Sequence, residues 1–144
     1  MKLFKKLTES ENIELLKFPA FISLLAADSD DKLDAMEKQS AIKFSHIKTY
    51  SCDPLLIKFY EEADKVFENN ITQLDKELPI GKAGREASLK RELMKLETIV
   101  LKLGEAYTTV MHRSMKSFKD HVSQAHHSVL VDFIFPIPIK GLTY

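Results

Sequence analysis

Five acidic residues near a predicted helix junction are the side chains best suited to chemistry in this sequence. Asp28, Asp30, Asp31, Asp34 and Glu37 lie within ten residues of one another. Aspartate favours turns and helix N-termini, so the simpler interpretation is that these residues cap helices. The alternative is a divalent-cation site with Asp30, Asp34 and Glu37 as candidate ligands. Calcium, magnesium and manganese bind convergent oxygen ligands of this kind, although the spacing is not that of an EF-hand loop.

The histidines form a second group of candidate ligands. His112, His121, His126 and His127 fall in a later helical stretch, at separations of nine, five and one residues. A metal-binding pair on one helix face needs a spacing of three or four. No glutamate lies three positions before a histidine, so the motif of the di-iron bundles is missing. We expect these histidines to be solvated or to cap helices.

Motifs of nucleotide-binding and hydrolytic enzymes are missing as well. The sequence has four glycines and contains no Walker loop, no Gly-x-Gly-x-x-Gly and no Gly-x-Ser-x-Gly. The segment from Gly81 to Arg85 is predicted to be a flexible connection rather than a phosphate site. Cys52 has no cysteine to pair with in this chain, and we expect a small buried apolar residue. We predict a protein that is not an enzyme.

The length of 144 residues predicts a single domain over residues 1–144, and the helical patterns described below predict that this domain is helical. Twenty-one basic residues balance twenty-one acidic ones, so the net charge does not favour nucleic acid as a partner. The longest apolar run, Phe18 to Ala27, is about half of the ~20 residues that cross a bilayer. Glutamates at positions 9, 11 and 14 stand where a signal peptide has its apolar core. We expect a cytoplasmic protein with no membrane span.

Caps and turn formers divide residues 8 to 78 into four predicted helices. The helices begin at Thr8 or Ser10, at Pro19, at Asp31 or Asp34, and at Asp53-Pro54. The second helix, which ends near Asp28, is apolar almost all round and must be largely buried. The third runs from Leu33 to about Lys48. Its predicted inner side consists of Met36, Ala41, Ile42, Phe44 and Ile47.

From about Gly84 to Asp132, apolar residues recur at threes and fours, the spacing of one helix face. A straight helix of about 45 residues would reach ~68 Å, whereas a compact domain of this size is about 37 Å across. The stretch must therefore bend or break, with Gly104 and Ser114 to Ser117 as candidates, or project and pair with another chain. The apolar residues keep the same helical spacing on both sides of Gly104, so we place the bend near Met111 to Ser117.

The residues after about position 129 differ in composition from the helical stretch before them. Val129 to Phe135 are mostly β-branched or aromatic, and Pro136 and Pro138 impose an extended backbone. Residues 133–144 are predicted to be an extended apolar tail. The tail either lies across the bundle and seals it, or docks on a partner or a second subunit.

Leu24-Leu25-Ala26-Ala27-Asp28, followed by Asp30 to Glu37, resembles the tellurite-resistance TerB-like helical proteins. In that family an alanine-rich helix leads into Asp-Gly-x-Ile/Leu-x-x-x-Glu, and Asp31 stands here in the place of the glycine. The resemblance covers about residues 24–37. It implies an all-α bundle and an acidic cation site with counterparts at Asp30 and Glu37, with Asp34 nearby. It also implies a stress-response or interaction module rather than a catalyst.

Together these observations predict an all-α bundle of about five helices with one long C-terminal helical stretch. The predicted function is a non-enzymatic cytoplasmic interaction module without a cofactor, which contacts a protein partner or a second copy through the long helix or the tail. The alternative function is a divalent-cation-binding protein that uses the acidic junction of residues 28–37. A third hypothesis is a bundle that binds a ligand in an apolar cavity. It depends on aromatic residues at helical spacing, which core packing explains equally well: Phe44, Phe59, Phe67 and Tyr107.

Overall fold

Helices form nearly all of the structure, a computed structural model that describes residues 3–27 and 32–125. The predicted all-α bundle is confirmed. The α-helices are α1 (Glu9–Leu15), α2 (Phe18–Ala27), α3 (Ala35–Ser51), α4 (Ile57–Glu77), α5 (Lys82–Leu101) and α6 (Glu105–Ala125). A 3-10 turn, Pro54–Leu56, precedes α4. Among the described helices, none combines the length and the apolar character needed to cross a bilayer. The predicted tail, residues 133–144, lies outside the described residues.

Helix α2 lies at the centre of the bundle. All of its residues are buried, as its apolar character on every side predicts. It packs against α4, α5 and α6. Its one hydroxyl is satisfied internally, because Ser23 Oγ donates to the carbonyl of Pro19 at 2.8 Å. The outer helices are therefore positioned by their apolar faces around one buried helix.

The predicted inner side of α3 is partly wrong. Met36 is 73% exposed and Ile47 is 50% exposed, whereas Ala41, Ser45 and Lys48 are buried. Ser45 can occupy the inner side because its hydroxyl has a hydrogen-bond partner there. Ser45 Oγ donates to Asp64 Oδ1 at 3.0 Å. Two large apolar side chains are consequently left on the outer face of α3.

The long C-terminal stretch breaks at Lys102 to Gly104, and the predicted break near Met111 to Ser117 is wrong. Three backbone bonds of the i to i−3 type tighten the end of α5; one joins Leu103 N to Val100 O at 2.9 Å. Gly104 has a φ of 95°, which residues with a Cβ rarely adopt. Leu103 is 4% exposed, so the helical spacing of buried apolar residues continues through the turn. This continuity made the break difficult to locate from the sequence. The reversal lets α6 pack against α2 and α3.

Aromatic side chains fill the centre of the bundle where α3, α4 and α6 meet. Phe118 is fully buried, and its ring centroid lies 4.9 Å from that of Phe44 and 5.9 Å from that of Phe67. Tyr60 stacks on the same ring at 6.4 Å. These residues form packed core, which is the simpler of the two interpretations of the aromatic spacing.

Candidate functional site

The structure describes two of the three predicted cation ligands of the acidic junction, Asp34 and Glu37, and both take part in a helix cap. Asp34 Oδ1 accepts the backbone N–H of Glu37 at 2.7 Å, and Glu37 Oε1 accepts the backbone N–H of Asp34 at 3.1 Å. This reciprocal pair is a capping box at the start of α3. Asp30, the third predicted ligand, lies outside the described residues. Among the side chains that the structure describes, no three of His, Cys, Asp or Glu are grouped so that they could hold a metal ion.

The basic segment after Gly81 has a structural role. Gly81 precedes α5 with a φ of 105°, and residues 82–85 form the first turn of the helix rather than a flexible connection. Arg85 is 3% exposed and its Nη2 donates to Asp75 Oδ1 at 2.7 Å. The same carboxylate accepts the backbone N–H of Leu33 at 3.2 Å. Arg85 thus joins α5 to α4 and to the start of α3.

His112 is buried, so the expectation of a solvated or capping histidine is wrong at this position. Its Nε2 lies 2.6 Å from Glu97 Oε1, and the two side chains are 0% and 1% exposed. The pair links α5 to α6 across the turn at Gly104. Glu97 Oε2 is buried and accepts no hydrogen bond from the described residues. Because both groups are shut off from solvent, we interpret the pair as a structural link.

A small cavity lies between the C-terminal part of α3, the turn that follows it, and the middle of α6. Its volume is about 190 Å³. Cations, hydroxyls, a thiol and a carboxylate all line it. The lining residues are Lys48, Ser51, Cys52, Asp53, Val110, Arg113, Ser114 and Ser117. We call this cavity the Lys48 pocket.

Lys48 is the distinctive group of the pocket. The residue is only 9% exposed, and its Nζ lies 5.2 Å from the centroid of the Phe44 ring, within the range of a cation–π interaction. Burial lowers the pKa of Lys48, because desolvation disfavours the ammonium form, while the Coulombic interaction with Cys52 opposes this shift. Among the described residues no carboxylate forms an ion pair with Lys48. The pocket therefore contains a desolvated cation that a described carboxylate does not neutralise.

The α6 side of the pocket adds a second cation and hydroxyl groups. Arg113 and Ser117 are exposed and lie four residues apart, so they share one face of the helix. Ser114 is 8% exposed, and its Oγ is hydrogen bonded to the hydroxyl of Tyr60. Burial raises the pKa of Tyr60, so the phenol stays protonated and holds Ser114 in place.

The carboxylate and the thiol of the pocket are both restrained. Asp53 is the one carboxylate among the described lining residues, and its Oδ1 accepts the backbone N–H of Leu55 at 2.9 Å. Cys52 is half-buried, whereas the sequence predicted a buried residue. Burial raises the pKa of the Cys52 thiol, with Lys48 acting in the opposite direction. The cations and hydroxyls of the pocket suit a compact anion, and the thiol is kept in its less reactive protonated form.

Little in the sequence alone indicated this pocket. Lys48 marked only the predicted end of the third helix, and Ser114 to Ser117 were a candidate break in the long helix. Arg113 comes from a helix that is distant in the chain, and no local spacing could have joined it to Lys48.

Comparison with protein families, with curated proteins and with solved structures finds no match for this chain. The TerB-like resemblance of residues 24–37 therefore stays a prediction. The all-α bundle that it implied is present. Of its implied cation ligands, Asp30 lies outside the described residues, and Glu37 caps α3.

Proposed function

We propose that this chain is a non-enzymatic, cytoplasmic interaction module that binds a compact anionic group of a protein partner in the Lys48 pocket. The observation that carries this proposal is the partly desolvated ammonium of Lys48, which lines a cavity without an ion pair to a described carboxylate. An uncompensated cation in a partly dry site costs stability. An anion that binds there recovers this cost, because it gains a charge-assisted contact in a medium of reduced dielectric constant.

The other lining groups support an anion rather than a cation. Arg113 can bind an oxyanion through two parallel N–H groups, and Ser117 offers a hydroxyl on the same helix face. Asp53 opposes an anion, but one of its oxygens already accepts a backbone N–H. A volume of about 190 Å³ suits a phosphate, sulfate or carboxylate group. It lies below the ~300 to 1,000 Å³ of pockets that enclose a drug-sized ligand.

The protonation state of the Cys52 thiol agrees with a pocket that binds a ligand without catalysing a reaction. The raised pKa of Cys52 keeps the thiol protonated near neutral pH, and a thiol is a far weaker nucleophile than a thiolate. Interaction modules of this chemistry recognise a charged group on a partner segment, as basic pockets recognise phosphorylated or acidic motifs. The TerB-like resemblance implies the same functional class, including a link to stress responses. The predicted contact through the long helix or the tail stays a second prediction.

Titration of the full chain with inorganic phosphate, sulfate, phenyl phosphate and acetate tests the proposal. Chemical shift changes in nitrogen-15 spectra would report binding at the pocket. We expect at least one of these anions to shift the amides around Lys48 and Arg113, with a dissociation constant that rises with ionic strength. Lys48→Met keeps the apolar stem of the side chain, and Arg113→Gln changes an exposed residue. Each substitution should weaken binding tenfold or more.

Lys65→Met is the matched control. Lys65 is exposed and forms an ion pair with Glu62 at 2.8 Å, away from the pocket. This variant should bind the anions with the affinity of the unmodified chain. The proposal is wrong if no anion of the panel shifts the pocket amides, or if Lys48→Met and Arg113→Gln bind as tightly as the control.

A further inference from the structure

Lys48 places an amine inside the proposed anion site, where a bound ligand can react with it. The side chain lines the Lys48 pocket, and no described carboxylate forms an ion pair with it. An amine attacks a carbonyl carbon through its uncharged form. Burial lowers the pKa of Lys48, so a larger fraction of this amine is uncharged near neutral pH than for a lysine in water.

The two sides of the pocket present different groups to a ligand. Lys48 belongs to α3, whereas Arg113 and Ser117 belong to α6, which packs against α3. The guanidinium of Arg113 and the hydroxyl of Ser117 are donors that suit phosphate oxygens. When a phosphate binds to these donors, a group attached to it can fill the α3 side of the cavity, which Lys48 lines.

Acyl phosphates are the class of reactive ligand that fits this arrangement. They consist of a phosphate and, bonded to it, a carbonyl carbon that amines attack. The cavity volume of about 190 Å³ favours a small acyl group such as acetyl. A site that holds a nucleophile and its electrophile together raises the rate, because the reaction then takes place within one complex. A nearby guanidinium also stabilises the charge of the departing phosphate.

We infer that Lys48 is acylated by acyl phosphates that bind in the Lys48 pocket, and that this modification switches the anion site off. The lone pair of the uncharged Nζ attacks the carbonyl carbon and forms the C–N bond of an amide. The C–O bond to the phosphate breaks, and the phosphate leaves with the bonding electron pair. The proton that the attacking nitrogen loses passes to the phosphate or to water. Each chain reacts once, so this step is a modification of the protein and not catalytic turnover.

The other nucleophiles of the pocket are less suited to this reaction. Burial raises the pKa of the Cys52 thiol and keeps it protonated. A serine hydroxyl attacks a carbonyl only when a base activates it, and the Oγ of Ser114 is instead hydrogen bonded to the hydroxyl of Tyr60. The amide formed on Lys48 carries no charge, so acylation removes the cation on which anion binding depends. This inference rests on the proposed function and adds its regulation.

Incubation of the full chain with acetyl phosphate, followed by mass spectrometry of the digested protein, tests the inference. Lys65 is the internal control, because it is exposed and its hydrogen bond and ion pair with Glu62 raise its pKa. We expect Lys48 to be acetylated at least about tenfold faster than Lys65, because the pocket holds the reagent. Inorganic phosphate, or the substitution Arg113→Gln, should slow the reaction at Lys48 and leave that at Lys65 unchanged. The acetylated chain should bind the anion panel at least about tenfold more weakly, because its cation is lost.

The outcomes separate this inference from the proposed function. The inference is wrong, while the anion site stands, if Lys48 reacts no faster than Lys65 or if neither phosphate nor Arg113→Gln slows its acetylation. The same holds if the acetylated chain keeps full affinity for the anions. Cys52→Ser should be acetylated at an unchanged rate, and loss of the reaction in this variant would overturn direct attack by Lys48 in favour of a thioester on the thiol. Absence of anion binding by the unmodified chain would overturn the proposed function itself.

Discussion

Replacement of Lys48 by methionine should stabilise the protein while it removes the proposed anion site. Methionine fills nearly the same space as the lysine stem and carries no charge, so the variant removes a desolvated ammonium from a residue that is 9% exposed. Stabilisation is the opposite of the usual effect of substitution at a buried position. It is expected here because the folded state alone does not favour the desolvated ammonium, which the proposed binding function would retain.

The magnitude follows from two opposing contributions. Full burial of an ion costs several kcal/mol, and the residual exposure of Lys48 reduces this cost to about 2 kcal/mol. The cation–π contact with Phe44, at 5.2 Å, returns about 0.5 to 1 kcal/mol that the variant loses. The net gain in the free energy of unfolding is therefore about 1 kcal/mol near pH 7. This gain raises the melting temperature by about 3 to 4 °C.

The direction in which the stability difference between Lys48→Met and the unmodified chain changes with pH can also be predicted. Because the pKa of Lys48 is lowered in the folded state from its ordinary 10.5, the unfolded chain binds more protons between these two values. The contribution of Lys48 to stability therefore becomes less unfavourable as pH rises through this window. The advantage of Lys48→Met should be largest near pH 7 and should shrink towards pH 10.5. Cys52 acts in the opposite sense above pH 9.0, since its pKa is raised in the folded state, so both chains must be compared at each pH.

Urea unfolding followed by circular dichroism at pH 7 and at pH 10 measures both effects. Lys65→Met, at an exposed lysine, should change the free energy of unfolding by no more than about 0.5 kcal/mol. If Lys48→Met is less stable than the unmodified chain at pH 7 by about 1 kcal/mol or more, the ammonium is compensated in the folded state. The reasoning that makes it an anion-binding group would then be refuted.

Three other measurements address the turn, the buried pair and the acidic junction. Gly104→Ala should lower the free energy of unfolding by about 1 to 2 kcal/mol in a thermal melt, since the φ of 95° is strained for alanine; an unchanged melting temperature would contradict the turn. Glu97→Leu removes the acceptor for His112 Nε2 and should destabilise by about 1 to 3 kcal/mol in urea, and a change under 0.5 kcal/mol would mean that the pair contributes little. Calcium, magnesium or manganese should leave the melting temperature of the chelator-treated chain unchanged, because Asp34 and Glu37 are engaged in a capping box. A rise of several degrees that disappears in Asp34→Asn, Glu37→Gln would instead establish the cation site.

Local features of the fold could be predicted from the sequence because their physical causes are local. The capping box of Thr8 and Glu11 depends on residues three apart, and the structure contains it at the start of α1. The cap formed by Asp53 before Pro54 is of the same kind. Burial of α2 follows from its composition, since a helix that is apolar on all sides is stable only inside a bundle.

Predictions were wrong where the outcome depended on neighbours distant in the chain. Spacing alone placed Met36 and Ile47 on the inner side of α3, but Ser45 has a hydrogen-bond partner on α4, and polar residues occupy the buried positions instead. The break of the long helix was misplaced because Leu103 stays buried through the turn. The apolar period therefore continues across Gly104 although the helix does not.

What the sequence by itself determined is the all-α class, the buried central helix and the caps, because periodicity and capping act over one or two helical turns. The tertiary structure alone decided the candidate site. Lys48 and Arg113 are 65 positions apart in the chain, and they meet only because α6 reverses at Gly104 and packs against α3. Glu97 and His112 meet through the same reversal. The proposed anion site therefore depends on contacts that no local pattern encodes, since the pocket exists only after the helices have packed.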